Sequence, residues 1–194
     1  MPFKIEGNTL VNYDFYNQEE TAVVPEGIEV IDRSAFYVCS KVKRVILPST
    51  LKEIRAGAFR ESGIESVAVP DGVTALGSEV FAECGNLTAV SIGKGVERLG
   101  DYAFRGCQSL ERLELPEGLE KIGYNAFEEC YSLKTVWVNG AEYRIRDAKA
   151  PGPVRLVYQS LEETRKRIRA YYESGCMDEF EYVDYCIGGD GYDY

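Results

Sequence analysis

One pattern recurs five times between residues 25 and 138, and it restricts the possible folds more than any other feature. Its phenylalanines lie at Phe36, Phe59, Phe81, Phe104 and Phe127, so each repeat is 22 or 23 residues long. A period in the twenties with apolar residues at fixed phases indicates a solenoid. Because one repeat cannot bury its apolar face alone, stacking of neighbouring repeats must stabilise the fold.

The fourth repeat, residues 93–115, shows what each part of the pattern predicts. Its Leu-x-x-Leu-x-Leu sequence at 110–115 ends in strand-like alternation. Successive copies should form one parallel sheet with strands about 4.8 Å apart. The apolar residues within 96–99 should face the same interior from the opposite wall. Ala103 and Phe104 are predicted to form a short helical turn, with the ring of Phe104 filling the space between the walls.

The cysteines follow the same period. They predict a ladder of small, buried side chains with free thiols, since three adjacent thiols cannot all pair with one another. Reduced thiols are typical of an intracellular setting. A metal site would need close Cys pairs or histidines, and the sequence has no histidine. The residues at this phase are Cys39, Ser62, Cys84, Cys107 and Cys130.

The full pattern resembles the BspA-like class of leucine-rich repeat. Its clearest copy is Pro-Glu-Gly-Leu-Glu-Lys-Ile-Gly-Tyr-Asn-Ala-Phe-Glu-Glu-Cys-Tyr-Ser-Leu-Lys-Thr-Val at residues 116–136. The resemblance implies a right-handed, curved solenoid with a parallel β-sheet on its concave face and short helical turns and strands on its convex side. It also implies a bacterial protein, often at the cell surface, whose usual role is protein binding and which shares no catalytic residue with its relatives.

The N-terminal part of the chain is predicted to close one end of the solenoid. Residues 1–24 should form a cap and a first rung, and Gly7-Asn8 signals a small hairpin. The solenoid itself is predicted over residues 25–147, as five full repeats and a partial sixth that begins at Asn139-Gly140.

The C-terminal part differs in composition from the repeats. Ala148 to Pro153 reads as a linker, and the Ser-Leu-Glu-Glu sequence at 160–163 is a helix capping box. Residues 154–194 are therefore predicted to form a helical C-terminal cap with a mobile tail. A docking module of its own is the alternative interpretation of this segment.

Several classes of function lack support in the sequence. Without histidine, the commonest general base and every Ser-His or Cys-His arrangement are missing, so we expect no enzyme, cofactor or metal. A net charge of -10 without a basic cluster argues against nucleic-acid binding. No stretch approaches the roughly 20 apolar residues that membrane insertion requires.

The N-terminal residues indicate the cellular location. They contain no apolar core followed by a small-residue cleavage site, as a signal peptide would. The sequence therefore predicts a cytoplasmic protein if residue 1 is the native start. If a signal peptide was trimmed, a cell-surface or secreted protein is predicted.

The binding surface is predicted from the strands. In Leu-x-x-Leu-x-Leu the leucines point inward, so the residues on either side of the middle leucine should face outward. Trp and Arg often carry interface energy, and Trp137 is the single tryptophan, although C-terminal helices packing over it is the alternative. The candidate partner-binding residues are Lys43, Arg44, Ile46, Glu65, Glu111, Arg112, Glu114, Lys134 and Trp137.

These features together predict a non-catalytic protein–protein interaction scaffold that binds a partner on the concave face of the repeats. The alternative is a surface adhesin that binds a host protein or carbohydrate. An adhesin of that kind would need export and an array of aromatic side chains on the concave strands, where the sequence places Trp137.

Overall fold

The computed structural model describes residues 2–14, 16, 19–138 and 141–144, and the chain there forms a solenoid of short strands. No helix is present in this part of the chain. In chain order the strands are β1 (Phe3–Glu6), β2 (Thr9–Tyr13), β3 (Thr21–Val23), β4 (Val30–Ile31), β5 (Arg44–Ile46), β6 (Glu53–Ile54), β7 (Ser66–Ala68), β8 (Ala75–Leu76), β9 (Ala89–Ser91), β10 (Arg98–Leu99), β11 (Arg112–Leu115), β12 (Lys121–Ile122), β13 (Thr135–Val138) and β14 (Ala141–Arg144).

Two walls of the solenoid are β-sheets. The back sheet has the order β1-β2-β4-β6-β8-β10-β12, and it is parallel except at the β1–β2 pair. The front sheet is formed by β3-β5-β7-β9 and continues beside β9 with β11-β13-β14. The chain visits the two sheets alternately, so each repeat is one turn. The predicted parallel-strand solenoid, with about five turns, is confirmed.

The third side, here called the turn wall, is held by backbone hydrogen bonds between turns. In each of the first four repeats, three N–H groups donate to carbonyls of the following repeat. They belong to the phenylalanine and to the residues two before and two after it. In the second repeat the bonds run from Gly57 N to Ser78 O (2.8 Å), from Phe59 N to Val80 O (2.9 Å) and from Glu61 N to Ala82 O (2.9 Å).

The predicted short helical turn at Ala103 and Phe104 is not confirmed, because the turn wall has a different backbone. The residues two before and two after each phenylalanine have positive φ, between 48° and 71°. A left-handed residue at both places prevents a continuous right-handed helix between them. These residues are Ser34, Val38, Gly57, Glu61, Glu79, Glu83, Tyr102, Gly106, Asn125 and Glu129.

A continuous stack of aromatic rings fills the interior beside the turn wall. The five phenylalanines are fully buried, with neighbouring ring centroids 5.0 to 5.6 Å apart. Tyr13 lies 23 residues before Phe36 and extends the stack at 5.1 Å, and Phe3 follows at 5.2 Å. The predicted filling of the interior by Phe104 and its counterparts is confirmed.

The N-terminal residues do more than cap the solenoid. The predicted hairpin is confirmed, since β1 pairs antiparallel with β2. In addition, β2 pairs parallel with β4 and β3 pairs parallel with β5, so this segment contributes a strand to each sheet. The predicted first rung corresponds to β3. The repeat pattern does not predict the rest of this turn, β2 and the ring of Tyr13, because a tyrosine replaces phenylalanine at residue 13 and no Pro-x-Gly precedes it.

The described part of the predicted sixth repeat takes a different path from the other repeats. Strand β14 runs antiparallel to β13 in the front sheet and does not extend the back sheet. Only Asn139-Gly140 separates the two strands, and Asn-Gly between two strands is the strongest short hairpin signal. The predicted helical segment, 154–194, lies outside the described residues.

Truncating a central ring of the aromatic stack should cost more stability than truncating its end. Phe81 stacks on both neighbours and is fully buried, so Phe81→Ala should lower the free energy of unfolding by about 3–5 kcal/mol. Phe3→Ala, at the half-buried end of the stack, serves as the control and should cost less than half as much. Urea unfolding measures both, and equal losses would contradict a continuous stack.

Val38 offers a test of the left-handed positions. A β-branched residue at φ 59° is strained, whereas Asn tolerates this conformation. Val38→Asn should raise the free energy of unfolding by about 1 kcal/mol. Val38→Ile keeps the branched side chain and should leave the strain in place. If Asn destabilises the protein in urea unfolding, packing of the valine outweighs its strain.

Candidate functional site

The outer face of the front sheet, here called the front face, is built by strand alternation. In β3, β5 and β11 the second residue is buried, at 1% exposure for Ala22, 3% for Val45 and 1% for Leu113. The residues on both sides of each are exposed. These outward positions are the ones that the Leu-x-x-Leu-x-Leu pattern predicts, because successive side chains of a strand point to opposite faces.

Strand register arranges the outward side chains in two columns along the solenoid. The first column contains the residue before each buried one, and the second contains the residue after it. Register sets the columns within β3-β5-β7-β9 and within β11-β13, and the repeat phase continues them from β9 to β11. The first column contains Thr21, Arg44, Ser66, Ala89 and Arg112. The second contains Val23, Ile46, Ala68, Ser91, Glu114 and Trp137.

Charged residues just before the strands form a line beside the first column. Lys43 Nζ lies 2.7 Å from Glu20 Oε1, and Lys134 Nζ lies 3.9 Å from Glu111 Oε2. The hydrogen bond and charge of Glu20 raise the pKa of Lys43, and the nearby charge of Glu65 acts in the same direction. Lys43, Glu111 and Lys134 therefore have an opposite charge close by in the free protein.

The two arginines of the first column differ from these lysines. Among the described residues, Arg44 and Arg112 have no ion-pair partner, and neither does Glu114. Each arginine stands near an exposed apolar side chain of the second column. Ile46 is 49% exposed, and Trp137, directly opposite Glu114, is 38% exposed. Each end of the front face thus has an arginine without an ion pair among the described residues, next to an exposed apolar side chain.

Small side chains separate these two ends. The floor between them consists of Ser66, Ala68, Ala89 and Ser91, all of them outward-facing. Arg44 and Arg112 are three strand intervals apart, which corresponds to about 14 Å at 4.8 Å per interval. The front face is therefore a shallow strip with larger, chemically distinct groups at both ends.

Two residues of the front face are absent from the predicted candidates. Val23 is 57% exposed, and it stands at the same phase as Ile46 and Trp137. Glu20 forms the ion pair with Lys43 and stands one repeat before it. The repeat phase identifies both positions, since Val23 lies on the predicted first rung at the phase of Ile46 and Glu20 lies at the phase of Lys43.

The predicted thiol ladder is confirmed for the four cysteines that the structure describes, all of them free and buried. The Cys84 thiol donates to Phe59 O at 3.0 Å, and the Cys130 thiol donates to Phe104 O at 3.0 Å. Burial raises the pKa of Cys84 to about 11 and that of Cys130 to about 12. These thiols stay protonated at neutral pH and join successive turns.

The described part of the chain contains neither a metal cluster nor a membrane-spanning helix. No three His, Cys, Asp or Glu residues there come together in a way that could hold a metal ion. The same residues include no helix with the length and apolar character needed to cross a bilayer.

Comparison with protein families gives one match that covers most of the chain. The family described as "BspA type Leucine rich repeat region" matches residues 8–134 in six copies. The first copy therefore includes β2, in agreement with the extra N-terminal turn. A comparison with curated proteins found no match.

Solved structures with the same fold come from several bacteria. The pneumococcal vaccine antigen PcpA is 24% identical with a TM-score of 0.62; the match covers 68% of this chain and 36% of that one. A leucine-rich repeat protein from Bacteroides capillosus is 24% identical with a TM-score of 0.50, over 72% of this chain and all of that one. A cell surface protein from Faecalibacterium prausnitzii is 21% identical with a TM-score of 0.50, over 75% and 55%. This chain therefore spans about a third of the length of PcpA, and these likenesses concern the fold.

The buried thiols predict a loss of stability in alkali. Between pH 9 and pH 11 the unfolded chain loses the Cys84 proton while the folded chain keeps it, so the free energy of unfolding falls as pH rises. The expected fall is up to about 1.4 kcal/mol per pH unit for each thiol, and the full contribution is present below pH 9. Urea unfolding at several pH values measures it. Cys84→Ala should flatten the dependence, and equal slopes in both proteins would contradict the assignment.

Proposed function

Because the chain belongs to the BspA type leucine-rich-repeat family, we propose that it is a non-catalytic scaffold that binds a protein partner on its front face. The observation that carries the proposal is the pairing of exposed apolar groups, at both ends of one sheet face, with arginines that have no ion pair among the described residues. This is the face that the family resemblance places on the inside of the solenoid's curve. Repeat solenoids use such extended surfaces for binding.

The chemistry of the front face favours a protein partner. Arginine and tryptophan are enriched among residues whose loss costs about 2 kcal/mol or more of binding energy. Arg112 and Trp137 lie one strand apart, and Arg44 and Ile46 provide a similar pair about 14 Å away. The small residues between them leave room for a partner's backbone to lie close to the sheet.

The charged groups divide into two classes in this proposal. Lys43, Glu111 and Lys134 already have partners, so we assign them to the rim, where a charge influences the association rate more than the affinity. Arg44, Arg112 and Glu114 would gain their first ion pairs from the partner. Substituting one of these three should therefore cost more affinity than substituting a rim residue.

A surface adhesin is the second candidate function. Two proteins of the same fold are described as a vaccine antigen and a cell surface protein, and exposed Trp137 could stack on a sugar ring. Stacking on a sugar depends on the aromatic ring and little on Arg44. If the protein binds glycans on an array, and this binding requires Trp137 but not Arg44, the result would favour the adhesin over the protein scaffold.

Affinity capture with three baits tests the front face. One bait is the native chain, and the second carries Arg44→Glu, Arg112→Glu and Trp137→Ala. The control bait carries Arg33→Glu, Arg98→Glu and Tyr131→Ala, which makes the same charge change with exposed residues away from the front sheet. A partner held by the native and control baits and lost by the front-face bait is the expected result.

The captured partner then allows a quantitative measurement. Arg112→Glu alone should weaken binding at least tenfold, equivalent to about 1.4 kcal/mol, as measured by calorimetry. Lys134→Glu, at the rim, should change it by less than threefold. A partner held equally by all three baits, or no specific partner, would refute the front face as the protein-binding site.

A further inference from the structure

The front sheet begins with β3, and its outer edge pairs with no strand in the described part of the chain. On the inner side of β3, Arg44 N donates to Glu20 O at 3.0 Å, and Val24 N donates to Ile46 O at 3.0 Å. In a parallel ladder these bonds place the N–H and C=O groups of alternate residues on the same side. The backbone N–H and C=O groups of Glu20, Ala22 and Val24 therefore face β5.

The remaining backbone groups of β3 point away from the sheet. These are the N–H and C=O of Thr21 and of Val23, and no described strand pairs with them. The described sheets end in the same way at β1, at β12 and at β14, so β3 is one of several terminal strands. An unpaired strand edge is a template for a strand from another chain.

Exposed aliphatic side chains accompany this edge. Val23 is 57% exposed and lies opposite Ile46, which is 49% exposed. A strand added beside β3 would place one of its side chains next to Val23 on the outer face, where strand neighbours lie about 4.5 to 5.5 Å apart. An aliphatic residue at that position would cover apolar surface that is now in water.

Charge indicates which kind of strand fits. In the sequence, residues 14–26 contain four acidic side chains, at positions 14, 19, 20 and 26, and no lysine or arginine. Glu20 is already paired with Lys43, and Arg44 of β5 lies opposite Thr21, so the negative charge near the edge comes from the other three. The whole chain carries a net charge of -10. A second copy would bring the same acidic stretch to the edge and be repelled, whereas a basic segment would be attracted.

We propose that the outer edge of β3 binds an extended segment of a partner protein by strand addition. The segment has alternating aliphatic residues and carries Lys or Arg at its ends. The backbone groups of Thr21 and Val23 supply the hydrogen bonds, Val23 supplies the apolar contact and the acidic residues around β3 select the charge. Val23 also lies on the front face, but the site uses neither Arg112 nor Trp137, so it can be tested apart from the proposed front-face function.

Two synthetic peptides provide the probe. The first is Lys-Val-Thr-Val-Thr-Val-Lys with blocked ends and a fluorescent label, and the second has Glu in place of both Lys residues. Fluorescence anisotropy should show binding of the basic peptide, with at least tenfold weaker binding of the acidic one. Amide hydrogen exchange should show new protection at Thr21 and Val23. No binding in the millimolar range, or equal binding of both peptides, would overturn the proposal.

Proline at residue 23 removes the outward N–H without touching the bonds to β5, because proline is tolerated where an edge-strand N–H faces solvent. Val23→Pro should weaken the basic peptide at least tenfold, and Val23→Thr, which keeps the N–H, should weaken it less. Thr21→Pro is a second variant of the same kind. Unfolding curves check that the variants fold, and unchanged binding by a folded proline variant would refute strand addition.

Two further measurements distinguish strand addition at β3 from binding on the front face and from self-association. The variant with Arg112→Glu and Trp137→Ala should bind the basic peptide with unchanged affinity, and a loss there would assign the peptide to the front face and contradict the proposal. Sedimentation velocity should show that the free protein does not self-associate through β3. A dimer that Val23→Pro dissociates would show that a second copy occupies the edge and would also overturn it.

Discussion

The contact of one buried aromatic ring with the next is the interaction on which the rest of the solenoid depends. Each phenylalanine packs on neighbouring rings of the stack, and Tyr13 and Phe3 carry it to the N-terminal end. In the first four repeats the backbone N–H of the same phenylalanine donates to the next repeat, so the ring and the turn wall meet at one residue.

A core built this way leaves the outer face of the sheets free to vary. The central residue of each front strand is apolar in every repeat, while its outward neighbours range from alanine to arginine and tryptophan. Stability and the proposed recognition thus lie on opposite sides of the same three-residue strand. For this reason the repeat pattern alone says little about the partner, and the departures from it, at Arg44, Arg112 and Trp137, carry the proposed specificity.

The sequence predicted the solenoid, its buried phases and the outward positions, because these depend on the period alone. It did not predict the turn wall, since Val38, Glu61 and Glu83 carry no local signal for positive φ, and the conformation is imposed by the bonds between turns. The direction of β14 was missed because Asn139-Gly140 was assigned by its phase and not as a hairpin signal. Nor could the pattern show that Glu20 neutralises Lys43 while Arg44 stays unpaired, because side-chain geometry between turns decides it.

The hydrogen bonds of the turn wall also give the solenoid a net dipole along its axis. In the described repeats, the inter-turn N–H groups of the phenylalanines and their flanking residues point toward the C-terminal end, and the accepting carbonyls point back. The peptide dipoles of this wall therefore add along the axis, as they do in an α-helix. The N-terminal end presents acceptors, and Tyr13 N meets one of them at Ala35 O. The two ends consequently need chemically different caps, one that donates hydrogen bonds and one that accepts them, so the same cap could not close both.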